Sequence, residues 1–137
     1  SKVIDFNKKN PGYGMFCPYE PSWHKAKEKL SAQSGQIIDG KKDFYEGYRT
    51  SFEITGWCLV LKRDTIDKCE LFDERFKFWY QDNDLSLTLQ NKNIKNALIT
   101  NSKVYHMVSQ SYSTIPESKK RDMMEDQIKI FQKKWNK

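Results

Sequence analysis

The sequence predicts a mixed α/β chain in which helices pack against a short, partly antiparallel sheet. Three observations point there. The run Trp57-Cys58-Leu59-Val60-Leu61 is almost continuously apolar, as expected of a strand buried on both faces. Near the end of the chain Met124, Ile128, Phe131 and Trp135 recur at steps of four, three and four, which puts them on one face of a helix. Between these, Ala97-Leu98-Ile99 and the segment Val104 through Val108 read as two further short strands. A chain of 137 residues is long enough for one domain with a single core. Its apolar share of 37% is low, but an aromatic share of 14% supplies large groups to bury.

Taken in order, residues 1–50 read as an irregular, aromatic-rich segment. Pro11-Gly12-Tyr13-Gly14 and the prolines at 18 and 21 crowd residues 1–21 with turn formers. Ser22 can cap a short polar helix to about Ala32, which Ser34-Gly35 ends; His24 on it reads as a surface residue. Asp39-Gly40 is a hairpin-type turn, and Tyr45 to Arg49 leads into the strongest strand, residues 52–62, expected at the centre of the sheet. Asp64 can cap a short helix over residues 65–69, and the acidic-aromatic block 71–80 follows as loop and short strand. Asp82 then opens a helix to about Asn91, with Asp82 and Asp84 in the first turn, where the helix dipole favours negative charge and lowers a carboxyl pKa. The last helix spans 116–135 behind a Ser113 or Thr114 cap, and its apolar stripe is expected to pack on the sheet.

A net charge of +6 favours anionic partners in general, yet the basic residues are overwhelmingly Lys, with only Arg49, Arg63, Arg75 and Arg121 able to offer a bidentate fork. Dispersed lysines read as a solvated surface. Lys129, Lys133, Lys134 and Lys137 suit the negative pole of the last helix and leave room for peripheral contact with anionic lipid. No eighteen apolar residues run together, and the first residues lack an apolar leader core. Cys17, Cys58 and Cys69 are odd in number and show no CxxC spacing, so a reducing compartment fits best.

Asp82-Asn83-Asp84 alone is ordinary for a helix start; the order of the surrounding blocks is not. The chain reads Thr55-Gly56-Trp57-Cys58, Leu61-Lys62-Arg63, Leu71-Phe72-Asp73-Glu74-Arg75-Phe76, Gln81-Asp82-Asn83-Asp84-Leu85, and Ser102-Lys103-Val104-Tyr105-His106 followed by Ser109-Gln110-Ser111. Block by block this resembles the second half of the family 2 glycosyltransferases of GT-A type. The likeness covers somewhat under half of the chain; residues 1–50 and the last helix do not contribute.

The resemblance implies a GT-A (nucleotide-diphospho-sugar transferase) fold, with residues 51–137 as the acceptor-side half of the domain. It implies an inverting, hexosyltransferase-like enzyme acting on a nucleotide-diphosphate sugar and a glycan or lipid-linked acceptor. Asp82 matches the general base that takes the acceptor hydroxyl proton. Gly56 and Trp57 match the place where backbone and a ring approach the sugars, and Asp84 matches a second carboxylate able to bind acceptor hydroxyls. His106 corresponds to a ligand for Mn²⁺ or Mg²⁺ in metal-dependent relatives. Asp73 and Glu74 are expected to anchor their turn by hydrogen bonds. The implied setting is cytoplasmic, at the inner face of a membrane where lipid contact applies.

This sequence departs from the family at Gln81, where many relatives have Glu, and at Glu70, where Gly is customary. No Asp-x-Asp follows a strand in the first fifty residues, so most metal ligands and the nucleotide grip are expected elsewhere in a longer enzyme, and this segment is expected to be inactive alone. Exposed sheet surface would then invite pairing with a second copy. Two other readings stay open: a noncatalytic carbohydrate-binding or scaffolding domain of transferase descent, and a nucleic-acid-binding module using the Lys-interleaved aromatic residues at 76–80. Acidic residues on both sides of that block argue against nucleic acid.

Overall fold

The computed structural model describes residues 1–69, 72–107 and 112–137. A four-stranded mixed sheet of order β2-β4-β1-β3 forms its centre. The strands are β1 (Tyr13–Tyr19), β2 (Phe44–Glu46), β3 (Val60–Leu61) and β4 (Lys95–Lys103). β1 and β4 run parallel in the middle, while β2 and β3 flank them antiparallel. Six α-helices accompany the sheet among the described residues: α1 (Lys2–Lys9), α2 (Pro21–Ala26), α3 (Glu28–Gln33), α4 (Arg63–Cys69), α5 (Gln81–Asn91) and α6 (Glu117–Trp135). The mixed α/β class holds, and α4, α5 and α6 lie close to their expected spans, although the expected caps do not form: Asp64 lies inside α4, and Tyr80 and Pro116 precede α5 and α6 without a side-chain cap.

The strands fall elsewhere than the sequence suggests. Residues 1–21 are regular: α1 turns Val3 and Phe6 onto the sheet against Phe16, Ala97, Ile99 and Phe44. The Asn10 side chain closes that helix by donating to the Phe6 carbonyl at 3.0 Å. β1 then runs through the centre although it contains Pro18. β3 pairs only with Met15 and Phe16, so Pro18 lies past that ladder, and the β1–β4 register shifts just after it. The segment expected as the central strand contributes only Val60 and Leu61, at an edge, because Gly56 and Trp57 form a turn. The strand expected at 97–99 is longer, β4, and ends at Lys103, before the second expected strand would begin. Thr100 stays in it because its hydroxyl donates to the Lys42 carbonyl at 2.6 Å and its amide to Asp43 at 3.1 Å. Residues 104–107 carry no strand, the described part of block 71–80 is turns and bends, and positions 70, 71 and 108–111 lie outside the described residues.

One face of the sheet buries Met15, Cys17, Tyr45 and Leu98 with Leu85 and Leu89 of α5; the other is covered by α1. The centre of the sheet is thus covered on both sides. His24 is 1% exposed rather than on the surface. The Glu20 amide donates to its Nδ1 at 3.1 Å, and its Nε2 pairs with the Phe52 carbonyl at 3.0 Å. α6 does not pack its stripe on the sheet: Phe131 meets Phe76 and Tyr80, and buried Gln127 accepts from the amides of Lys77, Phe78 and Trp79 at 2.9, 3.2 and 3.2 Å.

Candidate functional site

A cavity of about 950 Å³ opens beside the first turn of α5. One wall is an aromatic series: Trp23 from α2 meets Trp57 edge-on at 5.2 Å, and the His106 ring lies flat on Trp57 at 4.8 Å and 13°. Trp23 is held there because α2 is pinned on both sides, by the buried His24 and by its own indole N–H donating to the Ser51 carbonyl at 2.8 Å. The opposite wall is loop 72–80, chiefly Phe76, Phe78, Trp79 and Tyr80, with Met124 of α6. Gln127 fixes that loop from behind, since one amide oxygen accepts from three successive backbone N–H groups. Asp73, as expected, anchors its turn: it accepts from the Arg75 side chain at 2.5 and 2.8 Å, and Lys134 reaches it at 3.0 Å.

Asp82 lines the cavity between the two walls. It follows Tyr80, a left-handed cap residue at φ 69°, and accepts the Asn83 amide at 3.0 Å. A Cβ built on Gly56 would lie 3.5 Å from Asp82 Oδ2, so the glycine leaves the carboxylate room on its open side. The sequence suggests a pKa lowered by the helix dipole; the structure gives the opposite sign. Burial raises the Asp82 pKa, and it outweighs the backbone hydrogen bonds that act the other way. No ion pair offsets this among the described residues. A desolvated carboxylate in a cleft is a functional-site candidate with a physical rationale.

Asp82, Gly56, Trp57 and His106 therefore share one cavity, and Asp84 does not join them. Only 4% exposed, Asp84 points to the other side of α5, where Lys134 reaches it at 2.9 Å and the Trp135 indole N–H donates at 2.8 Å. Two residues along a helix turn a side chain by roughly 200°, which is enough to divide the pair. The role expected of Asp84 at a sugar is accordingly replaced by one in fastening α6. His106 is exposed, and no group of three or more His, Cys, Asp or Glu able to hold a metal ion occurs among the described residues. Such an ion would need ligands beyond those described here.

Sequence reasoning passed over Trp23, Thr55 and Met124 in the cavity lining. The aromatic density at 76–80 was visible, but nothing local ties those rings to an indole more than fifty positions earlier. Comparison with protein-family models, curated protein sequences and solved structures found no match. No helix among the described residues is long and apolar enough to cross a membrane.

Proposed function

We propose that this chain carries the acceptor side of an inverting GT-A glycosyltransferase of the family 2 kind, in which Asp82 removes the proton of the attacking hydroxyl. The observation that supports it most is the unpaired, burial-raised Asp82 carboxylate set between two aromatic walls. Aromatic faces suit the C–H faces of sugar rings, and they position a hydroxyl by holding the ring that bears it. A raised pKa makes Asp82 a better proton acceptor than a solvated aspartate. Attack at the anomeric carbon forms the new C–O bond as the bond to the diphosphate breaks. The hydroxyl proton passes to Asp82, and the electron pair leaves with the diphosphate. The nucleotide sugar, and Mn²⁺ or Mg²⁺ where one is used, would be held by groups outside this cavity, since among the described residues its lining contains no Lys or Arg and no metal-ligand cluster.

The test is transfer by the full-length protein, read as release of nucleoside diphosphate over a matrix of sugar nucleotides and glycan acceptors. Asp82→Asn should lower turnover by about 10²–10⁴-fold with sugar-nucleotide affinity nearly unchanged. Undiminished turnover removes Asp82 from the reaction. Glycan binding without transfer by any donor would favour the second reading, a noncatalytic carbohydrate-binding domain of the same descent, to which the absence of basic lining groups also speaks. The same lining gives phosphates of a nucleic acid nothing to pair with.

A further inference from the structure

The chain carries 24 Lys and Arg against 18 Asp and Glu, so a cavity drawn from it at random would be expected to hold basic groups. Among the described residues this one holds none: its charged lining there is Asp73, Glu74 and Asp82, with His106 as the single imidazole. The negative charges are not equally available. Asp73 is answered by Arg75 and Lys134. Glu74 is exposed and Asp82 half-buried, and neither forms an ion pair among the described residues. Lys27 is 4.9 Å above the Trp23 ring and Lys134 is 5.9 Å from the Phe76 ring, and neither is part of the described lining.

Resting on the glycan reading above, the geometry points to selection by charge: we infer that the cavity takes a glycan segment free of carboxylate and phosphate groups, and that free amino groups on it strengthen binding. Three features act together. Ring faces attract ammonium groups and repel anions through their quadrupole. Uncompensated carboxylates in a partly dehydrated site make a second anion costly, because like charges brought together there are weakly screened. The neutral polar groups of the described lining, Ser51, Gln81 and Asn83, can pair with sugar hydroxyls at no charge cost. The volume, near the upper end of small-ligand pockets, has room for more than one sugar ring.

The experiment is calorimetric titration of the full-length protein, with tryptophan fluorescence as second readout, using short oligosaccharides of N-acetylglucosamine, glucosamine and galacturonate at low and high salt. The galacturonate oligomer should bind at least about tenfold more weakly than the N-acetylated one, the glucosamine oligomer more tightly, and both gaps should shrink with salt. Glu74→Gln, at an exposed position where folding is not at stake, should narrow the gaps. Equal or tighter binding of galacturonate overturns the charge selection and leaves the glycan site standing. No binding of any of the three overturns both.

Discussion

Helix α5 presents two carboxylates to two different environments, and the contrast separates support from chemistry. On the side facing α6, Asp84 is buried but fully engaged by Lys134 and Trp135, so its charge is part of the packing. On the side facing the cavity, Asp82 is desolvated with backbone amides and, among the described residues, no cation, an arrangement that destabilises the charged form. A fold has no stability reason to keep the second arrangement, whereas a proton acceptor requires something like it. The comparison teaches that burial alone does not identify a working carboxylate; the missing partner does.

The largest effect that would break the comparison is kinetic: Asp82→Asn should remove transfer by the margin given above while leaving the urea midpoint almost unchanged. Next, Asp84→Ala should cost about 2 kcal/mol, because it leaves the Trp135 indole N–H without its acceptor and Lys134 with Asp73 alone, and should lower Tm by about 8 °C in a chain of this size. If the two variants exchanged these outcomes, the assignment of the two sides would be reversed. Gln127→Ala should cost about 1–2 kcal/mol and speed amide exchange at Lys77, Phe78 and Trp79, since three N–H groups lose one shared acceptor.

A smaller effect sharpens the contrast through pH. The Asp82 pKa is raised, so its stabilising contribution is fully present below the ordinary value of 3.8 and is lost as pH rises through the folded value. Asp73 is the opposite case: hydrogen bonds and charge from Arg75 and Lys134 hold its pKa well below 3.8, so its contribution is present above that value and lost as pH falls. Stability of the wild type relative to Asp82→Asn should therefore fall with rising pH, and relative to Asp73→Asn it should rise, as measured by urea unfolding between acid and neutral pH. Parallel slopes would contradict the environments described. Smallest of all, Gly56→Ala should change stability by less than about 0.5 kcal/mol, its Cβ making an ordinary 3.5 Å contact with Asp82, yet should weaken glycan binding a few-fold by narrowing the cavity.

Helices α4, α5 and α6 were legible because their signals are local, whereas α1 was read as irregular and α2 and α3 as one helix. Asp82 and Asp84 in a first turn, Leu85 and Leu89 on one face, and the stripe from Met124 to Trp135 are each set by spacings of three or four. The sheet was less so. Trp57 and Leu59 looked like a central strand, since side chains that line an aromatic cavity have the same apolar character as side chains in a core. β1 was hidden by Pro11, Gly12 and Pro18, turn formers that a strand tolerates where its neighbours end. Of the candidate site, Asp82, Gly56, Trp57 and His106 were singled out from block order, and they line one cavity; Asp84 and the His24 environment were misread because both depend on a distant partner.

By itself the sequence determined the α/β class, the extents of α4, α5 and α6, and a short roster of residues worth watching, all through chemistry that acts over a few positions. Only the tertiary structure decided which carboxylate meets a lysine, which strand lies at the centre, and that Trp23 joins Trp57 and His106 in one wall. Those outcomes depend on contacts between residues tens of positions apart, and it is such contacts, through burial and pairing, that set the free energy of a charge.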